Sequence, residues 1–452
     1  MIGPESVDLE ENSLSTTYAD SASADVVNGL PADAHSVVPL FPDIHGNLRG
    51  KLVDPRIISS GQALTKGIPT TDLLLAVDPL DEPITTLATM GLKGGAKDLL
   101  LRPDLTTLRP LPWFPAAYLL LGDLHETSGA PCAASPRQVL RNALDALASH
   151  GLKLKAAFEF EFRLFREGTW EPATAGLSYS PLTLSHVAEF IGTLRRYAGD
   201  LQLGLSVVHS EGAPGLIEVN VDPQDGLAAA DTAALLRLAA TEAARRHGLT
   251  ANFMAKPVAH EEGSSAHVHF SMWDEVGGNA LSSAAQDPDD EFYRRAAWGM
   301  LAQLPALSLI YNPTINSYKR LVPGYFAPVS AACGPDDRSF ALRALLKSPA
   351  ASRFELRRPG ADCNPYLTLA AIAASVHLGL LDRSVPDRGQ LDRHDGALPT
   401  SLEGAIIEFR RRDGRLDQVL GTEFCTHYLH TREWELHAWQ NSVTEWERQR
   451  YA

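Results

Sequence analysis

Cysteine is scarce in this 452-residue chain, and its four copies, Cys132, Cys333, Cys363 and Cys425, stand far apart. A disulfide framework or a thiolate zinc site needs paired spacing, so reduced thiols in a cytoplasmic setting are the expectation. Long apolar runs are missing too. None approaches the roughly 20 residues that span a bilayer, and no basic-then-apolar leader opens the chain, so no membrane partner is expected. Positive charge is in deficit: the net charge of −15 would repel a phosphate backbone, which excludes nucleic acid as a partner. Neither a Walker A loop nor a dinucleotide Gly-rich turn occurs, so a nucleotide would need another architecture. Internal repeats and low-complexity blocks are absent.

What remains is an ordinary globular composition, 44% hydrophobic and 21% charged, on a chain long enough for two domains or one large elaborated one. Residues 1–34 are acidic, Ser/Ala-rich and without periodicity, and read as a loose N-terminal arm. Residues 35–130 carry short apolar runs punctuated by Pro and Gly, with a hairpin turn expected around Asp43-Ile-His-Gly46, and read as a small strand-rich domain. Residues 131–452 read as a second, larger unit in which strands and helices alternate. Its first helix is expected at Ser135-Pro136, with Ser135 as N-cap and Pro136 at the first helical position. An Ala/Leu-rich helix is expected between Asp225 and Gly248, with Arg245, Arg246 and His247 in its last turn. One closing helix rich in Trp and Glu is expected over residues 432–450.

Four stretches of that unit carry the chemistry: Phe158-Glu159-Phe160-Glu161-Phe162, Glu211-Gly-Ala-Pro-Gly-Leu-Ile-Glu218, His267-Val-His269 and Arg353-Phe-Glu355-Leu-Arg357. Strand side chains alternate, so Glu159 and Glu161 share one face while the three phenylalanines share the other. The same period pairs His267 with His269, and Arg353 and Glu355 with Arg357. Taken alone, each stretch also fits a solvated strand face or an exposed loop. Together they gather more carboxylates than one pocket tolerates without cations to offset the repulsion. Glutamate-rich donors with a minority of histidine and no thiolate suit Mg²⁺ or Mn²⁺ better than zinc or copper. Arg320, Arg338, Arg343, Arg353 and Arg357 add guanidinium forks that suit phosphate and carboxylate oxygens. A metal-dependent enzyme handling a phosphate is the reading.

These stretches, together with Phe158-Glu-Phe-Glu-Phe-Arg-Leu-Phe165, Phe253-Met-Ala-Lys-Pro257, His267-Val-His-Phe-Ser271, Asn316-Ser-Tyr-Lys-Arg-Leu-Val-Pro-Gly-Tyr325, Asp337-Arg-Ser339 and Asn364-Pro-Tyr-Leu367, resemble the glutamine synthetase family from about Asp43 to Tyr451. The resemblance implies an α+β fold: a small N-terminal β-grasp domain and a large catalytic domain with a curved antiparallel sheet flanked by helices. It implies self-association into a ring, usually a dodecamer, and two or more Mg²⁺ or Mn²⁺ ions per site with ATP as co-substrate. Matched by position, Glu161, Glu211 and Glu218 resemble ligands of the metal beside the substrate carboxylate. Glu159, His267 and Glu355 resemble ligands of the metal on the nucleotide phosphates. His269, Ser271, Arg343 and Arg353 fall beside the nucleotide. Arg320 and Arg357 match the arginines that hold the glutamate carboxylates, Arg338 the one that neutralises the phosphoryl group in flight, and Gly263 the glycine next to the bound amino acid.

The chain departs from the ammonia-using pattern at the acceptor end. Phe326 stands where the flap glutamate is expected, Leu216 where a Gln is expected, Ala350 in place of a lysine near the nucleotide, and Glu262 in place of an Asn before Gly263. No Asp-Gly-Ser-Ser segment occurs; Thr70-Thr71-Asp72 lies in its vicinity without matching. An apolar wall of Phe326 and Leu216 suits an organic amine, with Glu262 as an extra acid for a polyamine. With Trp446-Glu-Arg-Gln-Arg-Tyr451 at the end, the pattern resembles the branch that joins glutamate to polyamines, ethanolamine and other monoamines in amine catabolism. The expectation is an ATP-dependent glutamate–amine ligase. A catalytically silent ring protein and a true ammonia-using synthetase remain the alternatives.

Overall fold

The computed structural model describes residues 26–27, 29–287, 289–324, 327–382, 387, 389, 391 and 396–452. The fold is α+β, built on two sheets. The smaller contains β1 (Ser36–Pro42), β2 (Leu48–Gly50), β3 (Ile68–Thr71), β4 (Asp98–Pro103), β5 (Arg109–Pro110) and β6 (Ala117–Glu126), in the order β2-β1-β6-β4-β3 with β5 also on β6. Only the β1·β6 pair is parallel. The expected turn links β1 to β2, with Gly46 at φ +82°. The apolar run after Thr71 forms a single 3-10 turn, Asp72–Leu75, whose start is capped by the Thr71 hydroxyl accepting Leu73 N–H. Val26–Val27 pairs with Leu30–Pro31, and Leu30 is buried in the small sheet's core.

The larger sheet contains β7 (Leu152–Arg166), β8 (Leu205–Ser210), β9 (Leu216–Val221), β10 (Gln224–Asp225), β11 (Leu249–Asn252), β12 (Ala266–Asp274), β13 (Cys333–Pro335), β14 (Leu342–Leu345) and β15 (Arg353–Leu356). Its order is β8-β9-β7-β12-β15-β14-β13, with β10 and β11 also on β7. All of its pairs are antiparallel except β13·β14. β7 is its spine, long enough to seat four partners.

Period-2 alternation fixes which face of this sheet is dry. Phe158, Phe160, Phe162 and Leu164 of β7, Ile217 and Val219 of β9, Val268, Phe270 and Met272 of β12, and Phe354 and Leu356 of β15 are all buried in one core. Helices α1 (Pro136–Ala148), α2 (Gly226–Arg246), α3 (Glu291–Tyr311) and α4 (Pro365–Leu381) contribute to the same core. α4 is apolar nearly all round and buried along almost its whole length, as a central helix must be. It crosses α3 at Gly299 and Gly379, where a Cβ on Gly299 would come within 2.1 Å of Ser375 O, so only glycine admits this approach.

α2 ends with Arg245 and Arg246 in its last turn, as expected, with His247 as its cap residue. Two other helix ends differ from expectation. Ser135 has the extended backbone of an N-cap before Pro136, yet its hydroxyl makes no cap bond. The closing helix is two helices, α5 (Thr422–Gln440) and α6 (Glu445–Tyr451), separated by Asn441-Ser-Val-Thr444. Thr444 forms a capping box with Glu447, and these two reciprocal bonds start a new helix where the old one runs into poor helix formers. No described helix is long and apolar enough to cross a membrane.

The small sheet's loops are held by side chains from the larger unit. Asn364, the N-cap of α4, donates to Asp43 O (3.1 Å) and Ile44 O (3.2 Å) while accepting from Tyr366 and Leu367 N–H. His427 Nε2 lies 2.8 Å from Leu75 O, and within the small unit itself His45 Nε2 lies 2.9 Å from Val77 O. Burial lowers both imidazoles to about 4, so each stays neutral near pH 7.

Candidate active site

The face of the large sheet opposite the phenylalanines is polar, and strand register lays its acids in rows. Glu218 lies opposite both Glu161 and His209; Asn220 lies opposite Glu159, and Glu159 opposite His267. Glu355 lies opposite His269 on one side and Arg343 on the other. Four sequence stretches separated by some 200 residues thereby reach one surface, as the alternation predicts.

Two groups of potential ligand atoms emerge among the described residues. In the first, Glu159, His269 and Glu355 converge. His269 Nε2 is 3.0 Å from Glu159 and its Nδ1 accepts from Arg353 Nε at 3.0 Å, which fixes the tautomer. Asn220 donates to Glu159 at 2.8 Å. His267 stands 3.9 Å from Glu159 and 3.7 Å from Glu355, so both imidazoles flank the group, His269 nearer Glu159 and His267 within reach of Glu355. Arg343 (2.9 Å) and Arg357 both bind the buried Glu355. In the second group, His209 sits between Glu211 (3.2 Å) and Glu218 (3.1 Å). Glu161 belongs to neither group and accepts Ser265 N–H at 2.8 Å.

Electrostatics shows how this crowding is tolerated. Burial alone would raise Glu159, but bonds and charge from His267 and His269 reverse this and hold its carboxyl well below the usual range. Burial likewise opposes ionisation of Glu355, and the charges of His267, Arg357 and His269, with the Arg343 bond, prevail. Burial would make His209 a weaker base, yet its bonds to Glu211 and Glu218 push it up to about 10, so its proton supplies between them the positive charge that a bound metal cation would supply instead. Carboxylate and imidazole donors in two compact groups, with no thiolate, fit two hard divalent cations.

Arginines and one glycine frame the rest. Arg320 is buried and donates to Arg358 O (3.0 Å) and Arg357 O (3.1 Å); burial lowers its guanidinium to about 10. Gly263 packs against it, where a Cβ would lie 2.7 Å from Arg320 Cγ. Arg357 Nε donates to Arg338 O at 3.0 Å, and Arg338 itself is exposed. Ser271, farther along β12, accepts from Trp273 Nε1 at 2.8 Å, and Lys155 covers that indole at 4.4 Å. Leu216 is buried at the start of β9, only 2% exposed, so it presents no open apolar wall. Phe326 lies outside the described residues.

Sequence reasoning passed over three neighbours of these groups. His209 and Asn220 stand two residues from Glu211 and Glu218, and extending the strand period by one step would have found both. Tyr179 stacks on His209, with centroids 4.5 Å apart and planes 15° apart, from a left-handed backbone at φ +55°. No local pattern announces it.

The description "Glutamine synthetase, catalytic domain" matches residues 133–451. The chain belongs to the glutamine synthetase family. It is an ATP-dependent acid–amine ligase of that family. A glutamate–isopropylamine ligase from a Pseudomonas species is 34% identical over 429 residues, covering 90% of this chain and 93% of the relative. A γ-glutamylethanolamide synthetase from Streptomyces coelicolor is 34% identical over 433 residues, 92% of each chain. The glutamine synthetase of Halobacterium salinarum is 33% identical over 384 residues, 78% of this chain and 83% of the relative. Among solved structures, ligand-free GmaS superposes with a TM-score of 0.81 at 28% identity, covering 92% of this chain and 96% of that one. The family depends on ATP and divalent metal, which agrees with the donor set described above.

Proposed function

We propose that this enzyme joins the γ-carboxylate of glutamate to an organic amine. The observation that carries the reading is the pairing of two ligand groups with a sequence in which Phe326 stands where the flap acid is expected. Relatives named for isopropylamine and ethanolamide chemistry support it.

In this reading Glu161, Glu211 and Glu218, with His209 beside them, serve the cation nearest the glutamate. Glu159, His267, His269 and Glu355 serve the one on the nucleotide. Bound divalent ions would neutralise phosphoryl charge and hold the oxygens in line. Arg343 and Arg353 hold the nucleotide phosphates, with Ser271 at its far end. Arg320 and Arg357 hold the glutamate, which lies along the backbone of Gly263. The γ-carboxylate oxygen attacks the terminal phosphorus and ADP leaves, with Arg338 offsetting the charge that develops. The amine nitrogen, in its neutral form, then attacks the γ-carbon; inorganic phosphate, a better leaving group than hydroxide, departs with the bonding pair, and the proton shed by nitrogen passes to the phosphate or to solvent. We place the boundary between the two units near residue 131 and the assembly as a cytoplasmic ring.

The test is ADP and phosphate release with ATP, Mg²⁺ and glutamate across ammonium, ethanolamine, putrescine, spermine, isopropylamine and aniline. One or more organic amines should outpace ammonium clearly. Equal rates with ammonium and every amine would overturn the acceptor assignment, and no ADP with any of them would favour a silent ring protein.

A further inference from the structure

We propose that Glu262 is the residue that holds the acceptor, and that it selects alkylamines bearing a positive charge on nitrogen. This rests on the ligase reading above.

Adjacent acids Glu261 and Glu262 are treated differently by the fold. Arg163, fully buried in β7, donates through Nη1 to Pro214 O (2.6 Å) and to the Glu261 carboxylate (2.5 Å), and through Nη2 to the Glu262 carbonyl (2.7 Å). Lys256 Nζ binds Glu261 O. The Glu261 side chain is therefore consumed, while the Glu262 backbone is clamped and its side chain is directed elsewhere. That carboxylate rests on the loop between the two ligand glutamates, against Gly212, where a Cβ would come within 2.9 Å of Glu262 Oε2. Ala213 N–H supports it there. It is half-buried and belongs to neither ligand group.

Glu161 and Glu211 face the same carboxylate, so this loop presents negative charge to a cation arriving at this point. An alkylamine arrives as that cation. A carboxylate held against Gly212, on the loop between Glu211 and Glu218, gives the ammonium its ion pair.

The experiment compares wild type, Glu262→Gln and Glu262→Asp, all with ATP, Mg²⁺ and glutamate. The acceptors are isopropylamine, ethanolamine and hydroxylamine, the last being a neutral nucleophile at pH 8. Glu262→Gln should raise KM for the two alkylamines about tenfold or more, with Asp intermediate, while hydroxamate formation, KM for ATP and Mn²⁺ affinity change little. Equal losses for alkylamines and hydroxylamine, unchanged alkylamine KM, or a matching loss of Mn²⁺ would overturn the assignment. Hydroxamate formation by wild type shows separately that glutamate is activated; its absence would remove the ligase reading as well.

Discussion

β7 carries two surfaces on one backbone. Phe158, Phe160 and Phe162 face a dry core between sheet and helices, while Glu159 and Glu161, one residue out of step, face the polar side, where charges are balanced one against another. The first surface gains stability by removing apolar area from water. The second keeps carboxylates ionised through His267, His269, Arg343 and Arg357. The contrast teaches that stability and chemistry in this enzyme are separated by a half-turn of the strand rather than by distance.

Substitutions on the two faces should therefore fail in different ways. Glu211→Gln, on the polar face, should lower ADP release by about a thousandfold or more, with the denaturation midpoint nearly unmoved. A large drop in stability instead would break the separation. Phe160→Ala should cost about 3–5 kcal/mol in urea unfolding yet leave kcat per folded molecule within a few-fold. Histidines sharpen the same contrast. His45 and His427 titrate near 4 when folded but near 6.5 when unfolded. Between those values the unfolded chain binds more protons, so stability is full above pH 6.5 and declines as pH falls through about 4. His427→Gln should flatten that decline in denaturant titrations; an unchanged slope would exclude His427 as its source. Asn364→Ala, which removes a cap and two bonds to the Asp43–Ile44 loop, should cost about 1–3 kcal/mol. Arg56→Ala, breaking a fully exposed pair with Asp54, should leave thermal unfolding unchanged.

Much of the architecture is legible in the chain because alternation is local. The Phe/Glu pattern of β7 and the His-Val-His of β12 announce one wet and one dry face, and both sheet faces are found as read. Register is not local. That His269 rather than His267 sits nearest Glu159, while His267 lies within 3.7 Å of Glu355, depends on how β12 slides along β7 and β15, which no single stretch encodes. Leu216 differs for a related reason: its identity indicates an apolar contact, and the β9·β7 pairing sets it opposite Arg163 on the face of Glu218, where it is already covered. The break between α5 and α6 was readable from the Thr444 and Glu447 spacing, which was overlooked against the stronger Trp/Glu pattern.

The grip of the larger unit on the small sheet has a consequence of its own. Asn364 and His427 both close onto peptide oxygens, at Asp43, Ile44 and Leu75. A carbonyl is the same whatever side chain stands beside it. The joint therefore reads the path of the loop and not its spelling, which leaves the side chains of those loops free to change without loosening the contact.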